Sequence, residues 1–272
     1  MSSINTKDPI RLVQITDTHL YGKPTGTLLK MNTHESLDYV VDLVKGNEER
    51  IDFILATGDI AQDGSPPAYE HFIKTMAELD APFTWIPGNH DKPAVMDEVG
   101  GERGYCEKNV RLNNWQLVFL DTSVEGQVHG RLSETELDFL RASLDSAEVD
   151  ASVAHVMVCL HHNPTKGNAG WMKDIGLHNG EEFFAILSGF NKVRSVVYGH
   201  IHQELDYDHE GIRCLCTPST CIQFKPNVNN FELDRTNPGY RTLQLHANGD
   251  IDTRVYRVEG FEFEADFNST GY

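Results

Sequence analysis

Short apolar runs of four to eight residues recur along the chain, separated by stretches whose apolar positions fall three and four apart. The runs read as buried strands and the spaced stretches as amphipathic helices. Strands are expected over residues 10–16, 53–56, 83–86, 115–120, 153–160 and 193–198. Between them, Leu37, Val40, Val41 and Val44 mark one helix face, with Thr33 as its expected cap. Pro66 and Pro67 open a second helix that carries Tyr69, Phe72, Ile73, Met76 and Leu79 on one side. Ser133 starts a third, and Glu136 stands three residues on, at capping-box spacing. A fourth is expected around 181–187. From Ile212 the pattern changes to alternating segments over 212–217, 240–245 and 251–256, the last two joined by an Asn248-Gly249 hairpin turn. Strands alternating with helices, then a β-rich end, predict an α/β domain with mixed sheets. No repeat, linker or low-complexity segment divides the chain, so residues 1–272 are expected to form one domain.

The 272 residues carry a net charge of -18. Nucleic-acid polymers and anionic membranes attract basic faces, so this balance argues against both as partners. It leaves room for a small phosphate ester, because bound metal ions reverse the sign of a site locally. No run reaches the roughly 20 apolar residues of a membrane span, and the polar start at 1–9 lacks the apolar core of a signal peptide. Five cysteines without zinc-type pairs read as reduced thiols, which makes the cytoplasm the expected compartment.

The chemistry collects where the apolar runs stop. Phe53-Ile54-Leu55-Ala56 leads into Thr57-Gly58-Asp59-Ile60-Ala61-Gln62-Asp63-Gly64, a carboxylate delivered by a glycine turn. The same grammar returns in Asp17-Thr18-His19, Gly88-Asn89-His90-Asp91, His161-His162 and Gly199-His200-Ile201-His202. Taken singly, a histidine at a strand end is usually a hydrogen-bonded core residue, and an Asp-X-His pair is common by chance. Five such segments, each closing an apolar run, point instead to one shared site at the strand ends, where open α/β sheets hold ligands. Asp17 with His19, and His200 with His202, stand two apart, so in extended backbone each pair projects from one face. Two-metal phosphoester sites hold their ions roughly 3.5–4 Å apart and need a bridging carboxylate. Asp59 is the best candidate for it. Carboxylate, imidazole and amide oxygen together suit manganese or iron, with zinc as a third option. Trp171 falls in the polar loop after His161-His162, where it either stacks on a base or anchors the loop.

In order, these five segments resemble the calcineurin-like metallophosphoesterases. Three further stretches sharpen the likeness: Gln14-Ile15-Thr16-Asp17-Thr18-His19-Leu20, Gly199-His200-Ile201-His202-Gln203-Glu204-Leu205-Asp206, and the run from Thr217-Pro218-Ser219-Thr220-Cys221 to Lys225-Pro226. With the Asn237-Pro238-Gly239-Tyr240-Arg241 segment, they are similar to the bacterial class III cyclic-AMP phosphodiesterases, almost end to end. The resemblance implies a four-layer αββα sandwich and two metal ions per chain. It assigns Asp17, His19, Asp59 and His202 to the first ion, and Asp59, Asn89, His161 and His200 to the second, preferring His161 to His162. It further implies that His19, Asn89, His90 and His202 meet the substrate phosphate and that His90 is the catalytic acid. Asp63 and Asp91 are expected to support from behind, Asp63 by orienting a ligand or the tight turn and Asp91 by fixing the His90 tautomer. The implied reaction is hydrolysis of 3′,5′-cyclic AMP to 5′-AMP by a hydroxide held between the ions. The alternative is a broader phosphodiesterase or phosphomonoesterase acting on other small esters, such as 2′,3′-cyclic nucleotides. Residues 212–272, and 224–240 in particular, are expected to cover the site.

Overall fold

The computed structural model describes residues 8–271, so most of the polar N-terminal start lies outside the described residues. The chain first forms β1 (Ile10–Ile15), a small hairpin of β2 (Thr27–Leu28) and β3 (Met31–Asn32), and helix α1 (Thr33–Asn47). It continues through β4 (Phe53–Ala56), α2 (Pro66–Ala77), β5 (Phe83–Trp85) and α3 (Pro93–Gly100). Next come β6 (Asn109–Leu112), β7 (Trp115–Phe119), α4 (Glu134–Val149), β8 (His155–Cys159), α5 (Gly180–Leu187) and β9 (Val193–Tyr198). The last third is β10 (Leu205–His209), β11 (Ile212–Cys216), the short pair β12 (Gln223–Phe224) and β13 (Leu233–Asp234), then β14 (Gly239–Leu245) and β15 (Ile251–Arg257).

Two mixed sheets result. One runs β15-β14-β1-β4-β5 and the other β10-β11-β9-β8-β7-β6. In the first, β1, β4 and β5 are parallel, while β14 pairs antiparallel with both β1 and β15. In the second, β7, β8, β9 and β11 are parallel between antiparallel edges. Alternation along each strand decides the layers. Leu12, Phe53 and Leu55 of the first sheet join Trp115, Leu117, Phe119, Met157 and Val197 of the second in a core between the sheets. Their neighbours Val13, Ile15, Ile54, Val118, Val156 and Val196 turn the other way, into the cluster that holds the apolar faces of α1, α2, α4 and α5. The inner strands are therefore buried on both faces, which explains the nearly continuous apolar runs. The order helix, sheet, sheet, helix is the expected four-layer αββα sandwich.

Some local expectations change. Asn32, not Thr33, caps α1: its side chain accepts from the amides of His34 and Glu35. Ser133 caps α4 through the Glu136 amide, but the Glu136 carboxylate turns away to the Asp121 amide and the Lys108 ammonium, leaving the capping box half made. Helix α3 and strands β6 and β10 are additions to the sequence reading. Among the described residues, no helix is long and apolar enough to cross a membrane.

Candidate metal centre

Parallel strands in each sheet end at the same side, and there the two sheets meet. Asp17 and His19 follow β1, Asp59 follows β4, His161 follows β8, and His200 and His202 follow β9. The loops run together: the Asp17 amide donates to Gly58 O at 2.9 Å, the His19 amide to Asp59 O at 2.9 Å, and the Gly199 amide to His161 O at 3.1 Å. Asp17, His19, Asp59, His200 and His202 all have positive φ, between 46° and 70°. That region is disfavoured for residues with a Cβ, and clusters of such residues mark functional sites. Glycine supplies the clearance. A Cβ on Gly88 would overlap the Asp59 carboxylate, and one on Gly199 would overlap Asp17.

Four imidazoles converge in two pairs. His19 Nε2 and His202 Nε2 stand 3.1 Å apart, and His161 Nε2 and His200 Nδ1 3.2 Å apart. Their outward nitrogens are all held by carbonyl oxygens: His19 Nδ1 by Gln62 at 2.6 Å, His202 Nδ1 by Ile222 at 2.8 Å, His161 Nδ1 by Thr57 at 2.8 Å and His200 Nε2 by Ile175 at 2.9 Å. A carbonyl can only accept, so each outward nitrogen carries the proton and a neutral ring turns its lone pair inward. Where both rings of a couple are neutral, their lone pairs face each other at about 3 Å and repel, and a cation between them satisfies both. Carboxylates stand beside each pair. Asp17 Oδ1 is 3.4 Å from His202 Nε2, while Asp59 Oδ2 lies 3.3 Å from His161 Nε2 and 3.8 Å from His19 Nε2. Asn89 Oδ1 is 3.3 Å from His161 Nε2. Asp59 thus stands between the two ring pairs, and the donor set fits two metal ions.

The charges agree. Burial pushes the Asp17 and Asp59 carboxyls up, but nearby histidines outweigh it and hold both below the usual range. Burial brings His19 and His200 down to about 3, so both rings are neutral and ready to donate. Burial also opposes a charge on His161, yet Asp59 overrides it and lifts that ring to about 9.

All seven expected ligand residues come together here, and His90 sits beside them. Its amide donates to Asp59 Oδ1 at 2.9 Å and its ring lies 5.0 Å from that of His19. His162 has both ring nitrogens engaged, Nε2 donating to Val128 O at 3.1 Å and Nδ1 meeting the Thr122 hydroxyl at 2.7 Å. The two supporting carboxylates both hold backbone. The Asp91 carboxylate takes the amides of Ile60, Ala61 and Gly88 and the Tyr69 hydroxyl, bracing the turn that carries Asp59. Asp63 is exposed and ties Gly22 to Ser65, so of its two expected roles it takes the one of shaping the turn. Its neighbour Gln62 is the residue that fixes His19. Cys221 lies against His19 and His202, unforeseen from sequence, but burial pushes its thiol up to about 12 and keeps it protonated.

A cavity of about 580 Å³ opens beside the centre. His90 and His200 line it together with Trp171, Phe224, Phe231 and Asn230. Phe224, Asn230 and Phe231 bring the 224–240 stretch into the lining of this cavity.

Comparison with known proteins gives three results. Residues 10–204 match the model of the family described as Calcineurin-like phosphoesterase. The chain is 42% identical over 265 residues to the 3′,5′-cyclic adenosine monophosphate phosphodiesterase CpdA of Escherichia coli strain K12, spanning 97% of this chain and 95% of that protein. It is 41% identical over 267 residues to the protein of the same name from Pseudomonas aeruginosa, spanning 98% of this chain and 97% of the relative. Among solved structures, a dimetal phosphatase from Danio rerio superposes with a TM-score of 0.64 at 16% identity, covering 93% of this chain and all of that one. That last likeness is one of fold.

Proposed function

The chain belongs to the calcineurin-like phosphoesterase family, and on that premise we propose that it hydrolyses 3′,5′-cyclic AMP to 5′-AMP with two metal ions. The observation that carries the reading is the pair of facing imidazole couples on either side of Asp59, each ring held from behind by a carbonyl oxygen. Near end-to-end likeness to relatives named for cyclic AMP supports this substrate over the broader esterase alternative. We read residues 1–272 as one catalytic domain acting in the cytoplasm on a small molecule.

In this reading Asp17, His19, Asp59 and His202 hold one ion, and Asn89, His161, His200 and Asp59 the other. His161 is preferred to His162 because its Nε2 stands 3.3 Å from Asp59 Oδ2, whereas His162 turns Nε2 to Val128 O and Nδ1 to the Thr122 hydroxyl. Mixed oxygen and imidazole donors suit iron or manganese, with zinc a third option. When bound, the ions supply Lewis acidity toward the phosphoryl oxygens and a water ionised near neutral pH. The protein supplies the rest. Asp59, oriented by the His90 amide, fixes the spacing of the two halves. His19, Asn89, His90 and His202 surround the position of the phosphate. His90, in the lining of the cavity, donates a proton to the ribose 3′ oxygen as its bond to phosphorus breaks. General acid help of this kind contributes roughly 10²–10⁴-fold.

The test uses metal-stripped protein restored with manganese or iron and assayed on cyclic AMP, 2′,3′-cyclic nucleotides and a generic diester. The expected outcome is metal-dependent turnover with the highest kcat/KM on 3′,5′-cyclic AMP. Strong cleavage of the other esters beside inert cyclic AMP overturns the substrate assignment.

A further inference from the structure

We propose that the aromatic corner formed by Trp171 and Phe231 is the base subsite, stacking the purine while the phosphate lies at the metal centre. The inference rests on the cyclic-nucleotide reading above and adds the residues that would read the nucleoside. Its first support is position. One cavity is lined both by His90 and His200 and by these aromatic side chains, and its volume of about 580 Å³ suits a mononucleotide. Its second support is shape. The Trp171 and Phe231 rings touch edge to face, with centroids 5.1 Å apart and planes at 64°. No ring fits between them, so they form a corner in which a base lies on one face and abuts the other. Phe224 braces both, 5.2 Å from Trp171 and 5.5 Å from Phe231.

The third support is registration. The Phe224 ring also stacks on His202, with centroids 4.1 Å apart and planes at 12°. The corner is thereby packed onto one of the proposed metal-holding imidazoles, which sets the distance from phosphate to base through rigid rings. The fourth is charge. No lysine or arginine lines this cavity, so it holds a neutral heterocycle better than a second phosphate or a polymer backbone. Asn230 is the one side-chain amide in the wall. Recognition through a face with a single amide at the edge favours ring area over base identity. Cyclic AMP and cyclic GMP are therefore expected within roughly tenfold of each other, and cyclic CMP below both.

Binding separates this inference from the reading beneath it. Calorimetry on manganese-loaded protein compares 5′-AMP with ribose 5-phosphate, which lacks the base. Wild type is expected to prefer 5′-AMP by roughly 5- to 150-fold, the range for one stacked base. Trp171→Ala and Phe231→Ala should each remove most of that preference, and Trp171→Phe should retain it. The ratio is internal to each variant, so partial loss of folded protein leaves it readable. A wild type without preference, or alanine variants that keep it, overturns the base subsite. Cyclic-AMP hydrolysis is followed in parallel: a preference for 5′-AMP in a protein that fails to hydrolyse cyclic AMP overturns the catalytic reading and leaves the subsite standing.

Discussion

Asp59 is the residue on which both ring pairs converge, which gives it a different mutational signature from its neighbours. Asp59→Ala should empty both metal positions and lower kcat/KM by roughly 10³-fold or more. Asp17→Ala should chiefly loosen one ion. Metal counting by plasma mass spectrometry checks this, and an Asp59→Ala protein holding two ions overturns the bridge. His161 makes a second prediction. Asp59 holds its ring protonated up to about 9, while a ring that donates to a metal must be neutral. Below that pH the ion displaces a proton, so affinity should rise about tenfold per pH unit from neutrality toward 9 and then level. Proton release on adding manganese in weak buffer measures it. The acidic and imidazole residues were legible because each closes an apolar run. Gln62 was not: a glutamine in a loop has no spacing to betray it, and its role appears only once His19 Nδ1 is seen 2.6 Å away. The carbonyls of Thr57, Ile175 and Ile222 are silent for the same reason, since every residue has one.

At the scale of elements, the strand ends are shaped by glycine as much as by ligands. Gly88→Ala touches no metal, yet its methyl would occupy the space of the Asp59 carboxylate. Metal content and activity should both fall, by roughly 10–100-fold in affinity, while far-ultraviolet circular dichroism stays that of the folded protein. Unchanged metal content in Gly88→Ala would falsify the clearance argument. Most elements were readable because doubly buried strands and one-sided helices write their periods plainly. β9 falls where expected, at Val193–Tyr198, and β4 at Phe53–Ala56. The elements that escaped are those at margins. β6 and β10 are edge strands, half-exposed and polar, and in β10 the alternation with exposed Asp206 and Asp208 rests on Leu205, Tyr207 and His209, too few apolar side chains to stand out. Helix α3 is eight residues long and buries only Met96 and Gly100, too little for a helical stripe.

Across the whole molecule, residues from position 17 to position 202 meet in one place, and they come from both sheets. Asp17 and Asp59 belong to one layer, His161, His200 and His202 to the other. Metal ions here act on stability as well as on chemistry. At a free concentration a hundred times its dissociation constant, each ion adds about 2.7 kcal/mol. Chelation should therefore lower the thermal midpoint by roughly 2–4 °C for every kcal/mol withdrawn, and restored manganese should return it. A midpoint indifferent to chelator in a protein shown to lose its ions overturns the bracing of the two sheets.

The same seam has a bearing on how long the protein survives. A chain whose halves are clasped by removable ions opens more often when those ions are scarce, and proteases act on the opened form. Scarcity would then thin the population of molecules as well as slow each one. A cell starved of the metal would keep the substrate longer through the loss of the enzyme itself.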